Sequence, residues 1–110
     1  MTNANSGTQR AMQTIGPGQT EILYEVEKSL IPVTPDPVSV YNLSEQCDVI
    51  VVAESSGLPL LGEWKETYRM RIGPNETANV SSPGALETAY RVKATNTCER
   101  NSADVSYTIG

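Results

Sequence analysis

Two pairs of acidic residues come closest to a catalytic pattern in this sequence. Glu25 and Glu27 are two positions apart on a predicted strand, and Glu63 and Glu66 flank Trp64. Two carboxylates beside an aromatic ring are typical of glycosidase sites. Both pairs fall on strand faces predicted to be exposed, and no feature of the sequence indicates a cleft. Surface charge is therefore the favoured interpretation, and we expect that the chain is not an enzyme.

The side chains that most often bind metals or act as general bases are scarce. The chain has 110 residues, no His and two Cys. It contains no Gly-rich phosphate loop, nucleophile elbow or metal-ligand spacing. We therefore expect no cofactor, no metal and no small-molecule substrate.

The two cysteines, Cys47 and Cys98, lie at the ends of predicted strands. One interpretation is a disulfide, within one chain or between two, which as an intrachain bridge contributes about 4 kcal/mol in the chain-entropy model. The other is a pair of buried thiols in a reducing compartment. The disulfide is favoured. The first residues show no signal-peptide pattern, so we expect a virion or another oxidising, extracellular setting reached by a different route.

A basic stripe is predicted on two strands that are expected to pair with each other in one sheet. Five of the eight cationic residues alternate with apolar ones, so all five point away from the core: Lys65, Arg69, Arg71, Arg91 and Lys93. Such a stripe could bind an acidic partner or the acidic part of a second copy. The alternative is an ordinary solvated face, partly neutralised by Glu66 and Glu87. Because the net charge is -5, neither nucleic acid nor a membrane surface is expected as a partner.

The first nineteen residues differ from the rest of the chain. They are rich in Gly, Thr, Asn and Gln, with a small apolar cluster that includes Met12 and Ile15. This composition predicts an extended N-terminal arm over residues 1–19, with a short helical turn over 6–15 as an alternative, and a β-sandwich domain over residues 20–110. Met12 and Ile15 are the arm's candidate contacts with a partner. Removing the arm is expected to leave the sandwich folded.

From Thr20 onward, apolar residues recur with a period of two, which indicates strands. Ile22, Tyr24 and Val26 are predicted to share one face. Trp64, Tyr68, Met70 and Ile72 are predicted to share the core face of a later strand. Leu58, Leu60 and Leu61 belong to a loop that could either anchor a partner or close the end of the sandwich. About seven short strands separated by turns predict an antiparallel sandwich.

Tyr90 to Asn96 reads Tyr-Arg-Val-Lys-Ala-Thr-Asn and follows Pro83-Gly84. This segment resembles the penultimate strand of fibronectin type III and other immunoglobulin-like domains. The resemblance covers residues 83–109. It implies a single antiparallel immunoglobulin-like β-sandwich of about seven strands.

These features favour a non-enzymatic structural or assembly protein. The most concrete hypothesis is a virion accessory component, such as a phage capsid decoration or cement protein, which binds other subunits or further copies of itself. The alternative is an extracellular adhesion or carbohydrate-binding module. An indole of Trp64 exposed on a concave surface would favour the carbohydrate-binding module, and an indole in the core would remove it.

Overall fold

The computed structural model describes residues 9–26, 34–56, 63–83 and 89–110. The loop leucines at 58, 60 and 61 and the first eight residues lie outside this part of the chain. Within it are eight strands: β1 Gln9–Ile15, β2 Thr20–Val26, β3 Val38–Asn42, β4 Val49–Ser56, β5 Lys65–Ile72, β6 Thr77–Val80, β7 Ala89–Asn96 and β8 Ala103–Ile109. No helix of membrane-spanning length and hydropathy occurs among the described residues.

The strands pair as one long hairpin rolled up on itself. β1 pairs with β8, β2 with β7, β3 with β6 and β4 with β5, all antiparallel. Pairing of β3 with β8 and of β4 with β7 completes two four-stranded sheets, ordered β1-β8-β3-β6 and β2-β7-β4-β5. This nested order is that of a jelly roll.

The predicted antiparallel all-β sandwich is confirmed, with eight described strands. Its order differs from the immunoglobulin-like order implied by residues 83–109, in which the first strand pairs with the second. Here the first strand pairs with the last. The local Tyr-x-Val-x-Ala pattern indicates a strand with one buried face. Such strands occur both in immunoglobulin-like sandwiches and in jelly rolls, so the pattern does not distinguish the two strand orders.

The core is built mainly from β-branched side chains, which pack well on a pleated surface. Tyr90 is its largest fully buried side chain and meets the ring of Tyr24 edge-on, with centroids 6.2 Å apart. Several valines are buried completely: Val40, Val49, Val51, Val92 and Val105. The sheet interior is therefore filled without any Phe.

The predicted arm does not stand apart from the sandwich. Gln9–Ile15 pairs with Ile109–Ala103 over its whole length, and Ile15 is fully buried. A turn follows, with Gly18 at a φ of 68°, and it leads the chain into the other sheet. The sandwich therefore includes the arm from Gln9 onward, and neither a helical turn nor an independent tether describes residues 9–15. Ile15 cannot contact a partner because it belongs to the core.

One end of the sandwich is held by a disulfide and two buried asparagines. Cys47 and Cys98 are bonded, with their Cα atoms 5.4 Å apart, so the predicted disulfide is confirmed as intrachain. Asn42 and Asn96, the last residues of β3 and β7, are both completely buried. Buried polar groups are stable only when they are hydrogen-bonded, and both side chains are.

The carboxamide of Asn96 joins three segments of backbone. Its Nδ2 donates to the carbonyls of Ile15, Gly16 and Asn101 at 3.0, 3.2 and 2.7 Å. Its Oδ1 accepts from the backbone N–H of Cys98 at 2.9 Å. Asn96 thereby ties the end of β1 to the disulfide and to the start of β8.

Asn42 makes equivalent contacts on the other side of this end. Its Nδ2 donates to the carbonyls of Cys47 and Ile72 at 2.7 and 3.2 Å. Its Oδ1 accepts from the backbone N–H and the hydroxyl of Ser44 at 2.9 and 2.6 Å. The loop that carries Cys47 is thus fixed from within.

We expect Asn96→Asp to lower the free energy of unfolding by about 3 kcal/mol. The substitution replaces the donating Nδ2 group with an oxygen, which cannot donate to the buried carbonyls around it. Chemical denaturation monitored by circular dichroism measures the loss. Asn79→Asp is the matched control, since exposed Asn79 only accepts a hydrogen bond, from the Ser39 hydroxyl. That variant should remain within about 0.5 kcal/mol of the wild type. Equal losses in the two variants would contradict the role assigned to Asn96.

The disulfide closes a loop with a sequence separation of 51 residues. Replacing both cysteines by alanine should lower the free energy of unfolding by about 4 kcal/mol. The measurement is chemical denaturation of the double variant beside the oxidised wild type. Wild type reduced with dithiothreitol is the control and should show a similar loss. A double variant as stable as the oxidised protein would contradict the expectation.

Candidate protein interface

The predicted basic stripe lies on the outer face of the sheet β2-β7-β4-β5, but carboxylates accompany it. Glu54 lies between Arg91 and Lys93 and accepts from both, at 2.7 Å from Arg91 Nε and 3.1 Å from Lys93 Nζ. Arg69 pairs with Glu66, and Arg71 pairs with Asp48, each at 2.8 Å. Four of the five predicted cations are therefore ion-paired, and this face presents alternating rather than uniformly positive charge. Partner binding by these five residues stays a prediction.

Lys65 departs from the predicted stripe for a different reason. The register shifts between Ala53 and Glu54, so that Thr67 is an extra residue on β5. Side chains alternate between the two faces of a strand, so one extra residue moves every preceding side chain of that strand to the opposite face. Lys65 lies opposite Ser55, out of phase with Arg69, and is exposed.

The same shift moves Trp64 to the outer face, away from the core face predicted for it. The indole is half-buried, and the guanidinium carbon of Arg91 lies 3.9 Å from its ring centroid. A cation stacked in this way stabilises both side chains. The indole is therefore neither a core residue nor an open platform, since Arg91 covers one face of it.

A second shift, at Leu23, changes the predicted pattern of β2. Leu23 and Tyr24 both contribute to the core, whereas Ile22 is exposed opposite Lys93. Sequence periodicity predicted Ile22 on the core face because it assumed an uninterrupted alternation.

Electrostatics on the outer face centre on Glu54. Burial raises the pKa of its carboxyl, but hydrogen bonds from Arg91 and Lys93 outweigh this effect and hold the pKa below its usual value. The pKa of Glu66 is also lowered, by its hydrogen bond from Arg69. Desolvation raises the pKa of the Tyr68 hydroxyl on the opposite face of β5.

The four edge strands of the two sheets are β1, β6, β2 and β5, and they differ in how they are protected. Proteins block sheet edges with short strands, charges or bulges, since a free edge can pair with another chain. β6 has only four residues. β2 and β5 each carry a register shift, and they contain two and four charged residues respectively. Three edges thus carry devices that oppose pairing.

β1 carries none of these devices. It is seven residues long, pairs with β8 without any register shift, and has one charged residue, Arg10. Its outer side pairs with no strand among the described residues. Met12, at its centre, is the most exposed large apolar side chain of the described residues, at 66%. Sequence reasoning singled out Met12 but missed the strand edge that carries it.

The outer face next to β1 is neutral and polar. Ser39, Tyr41, Thr77, Ser106 and Thr108 line a shallow depression there together with Arg10 and Tyr107. Thr14 donates its hydroxyl proton to Asp104 at 2.6 Å. The surface beside the free edge thus offers hydroxyl groups and little charge.

No protein-family model and no curated protein sequence matches this chain. Solved structures do resemble it. PirA superposes with a TM-score of 0.74 at 13% identity, covering 97% of this chain and 95% of PirA. The mitogen from Yersinia pseudotuberculosis gives 0.65 at 11%, covering 93% and 83%. The Schizosaccharomyces pombe Cnp3 cupin domain gives 0.57 at 10%, covering 100% of this chain and 57% of that one. At such identities these likenesses show a common two-sheet antiparallel fold, and fold alone does not assign a function.

Ionised Glu54 should contribute stability that is present at neutral pH and lost in acid. A carboxyl whose folded pKa is lowered stabilises the fold above its unfolded pKa, and this gain disappears as the pH falls through the folded value. Urea denaturation of wild type and Glu54→Gln should therefore differ most near neutral pH and converge in acid. Glu99→Gln, at an exposed bend, is the control and should change little at any pH. A constant difference between wild type and Glu54→Gln would contradict the assignment.

Proposed function

We propose that this chain is a non-enzymatic structural module that binds neighbouring protein subunits along the free edge of β1. One observation carries the proposal: of the four edge strands, only β1 is long, regular and nearly uncharged. An edge of this kind pairs readily with an added strand, whose backbone supplies the hydrogen bonds. Met12, exposed at the centre of the edge, offers an adaptable apolar contact to that strand.

The setting that fits best is an extracellular particle, with a virion accessory or decoration protein as the most concrete case. The Cys47–Cys98 disulfide supports an oxidising environment, because cytosolic thiols are kept reduced. A small sandwich closed by a disulfide and two buried asparagines also suits a protein that must survive outside the cell. Jelly rolls occur among viral capsid domains, which agrees with this setting by analogy of fold only.

We expect Met12→Pro to release the chain from its native assembly. Proline removes the N–H of residue 12, which points to the free edge, and leaves the β1–β8 hydrogen bonds in place. Density-gradient sedimentation of particles from the native source, followed by immunoblotting, measures the distribution. The wild type should sediment with particles, and at least tenfold less of Met12→Pro should do so.

Met12→Thr is the matched control, because it changes the side chain but keeps the N–H group. It loses only the apolar contact of the side chain, so much more of it than of Met12→Pro should remain with the particles. Hydrogen exchange provides a second measurement if Met12→Pro folds poorly: the amide of Met12 should be protected in the assembled wild type and exchange freely in the monomeric chain at high dilution. A Met12→Pro variant that sediments like the wild type, or a Met12 amide equally protected in both states, would overturn the proposal.

A further inference from the structure

We propose that the strand added to β1 is β1 of a second copy, antiparallel to the first and related to it by a two-fold axis at Met12. Two four-stranded sheets then form one continuous eight-stranded sheet. This inference rests on the proposed function and names its partner. Three features of β1 support a second copy as the partner: the direction of its backbone groups, the two charges beside it and its central side chain.

The hydrogen bonds between β8 and β3 show which way the backbone groups of β8, and therefore those of β1, point. Leu43 N–H donates to the Asp104 carbonyl at 2.9 Å, and Gly110 N–H donates to that of Pro37 at 3.0 Å. Even-numbered residues of β8 therefore point their backbone groups toward β3, and odd-numbered ones point toward β1. Ala103, Val105, Tyr107 and Ile109 are the residues that bond β1, opposite Ile15, Gln13, Ala11 and Gln9.

The remaining residues of β1 direct their N–H and C=O groups to the free edge, where the Thr14 carbonyl accepts a hydrogen bond from Gln13 Nε2 at 3.2 Å that the N–H of a partner strand would replace. These residues are Arg10, Met12 and Thr14, spaced evenly about Met12. An antiparallel copy centred there places Met12 opposite Met12 and Arg10 opposite Thr14. Each such pair exchanges two hydrogen bonds, so the contact contains about six. The edge is therefore self-complementary in its backbone.

Two charges next to this edge form no ion pair with any described residue of the same copy. Arg10 lies opposite Thr108 and Asp104 lies opposite Thr14, so they are four residues apart along the strands, about 14 Å. Both belong to the outer face of the same sheet.

The two-fold arrangement brings these charges together. Arg10 of one copy lies beside Thr14 of the second copy, and Asp104 of that second copy is one strand further on. Their Cα atoms are then about 10 Å apart, which the long arginine side chain and the carboxylate span between them. The Thr14 hydroxyl bonds one oxygen of Asp104 and leaves the other for Arg10. Two symmetric ion pairs result.

Met12 lies on the axis. Its side chain, 66% exposed in the single copy, meets its counterpart in the second copy. The flanking hydroxyl side chains of Ser106 and Thr108 introduce no like charges. A parallel arrangement of two copies would satisfy the backbone but would not bring Arg10 of one copy next to Asp104 of the other.

Exchanging the charges of Arg10 and Asp104 tests this geometry. Sedimentation equilibrium of the purified full chain measures the dimer dissociation constant. The wild type should form a dimer. Arg10→Glu and Asp104→Arg should each raise the dimer dissociation constant at least tenfold. The double variant, which restores opposite charges across the axis, should return to within about threefold of the wild type. Arg100→Glu, at an exposed bend, is the control for net charge and should not change the constant.

If the wild type stays monomeric at millimolar concentration, the second strand is not that of another copy. The same conclusion follows if the single variants do not change the dissociation constant, or if the double variant does not restore it. Circular dichroism shows whether each variant is folded. If a charge-reversed variant is not, Arg10→Gln or Asp104→Asn takes its place, since each removes one charge at a similar side-chain size and should also weaken the dimer. Failure here with continued release of Met12→Pro from particles would leave the proposed function intact and assign the β1 edge to a different subunit. Failure of both experiments would remove the proposed function itself.

Discussion

The buried carboxamide of Asn96 is the contact on which the arrangement of the chain depends. It lies where the backbone leaves β1 and crosses to the other sheet, and it donates to the carbonyls of Ile15, Gly16 and Asn101. Water does not replace these bonds in the interior, so losing them costs the full desolvation of several polar groups. β1 keeps its place beside β8 because its last residue, Ile15, and the following Gly16 are anchored there.

The disulfide and Asn42 act on the same end of the sandwich. Cys47 precedes β4 and Cys98 follows β7, and these two strands are neighbours in one sheet. Asn42 comes from the other sheet and binds the carbonyls of Cys47 and Ile72. Covalent and hydrogen-bonded links therefore join both sheets at one end. These links hold together strands that are far apart in the sequence, so they stabilise the pairings between them.

This anchoring also explains how an unprotected edge can be presented without loss of the fold. A free strand with weak packing frays, but β1 is fixed at Ile15 by burial and by Asn96. Its exposed residues can therefore hold their backbone groups in the orientation that a further strand needs. In the other sheet both edge strands are irregular, because the register shifts at Leu23 on β2 and at Thr67 on β5, and both strands carry charged residues. The proposed assembly would thereby be directed to one side of the molecule.

Alternation of side chains was enough to predict the sandwich class and most strands after Thr20, because a buried face imposes a period of two on any strand. The position of Cys47 and Cys98 at strand ends favoured a disulfide, but only the structure showed that it lies within one chain. Alternation could not reveal β1, since an edge strand that buries only Ile15 has no such period. It also could not place Trp64 or Lys65, because one extra residue at Thr67 reverses their faces without leaving a local signal. Strand order, the carboxylates around the basic residues and the roles of Asn42 and Asn96 depend on contacts between segments far apart in the chain. Those contacts exist only after the hairpin has rolled up.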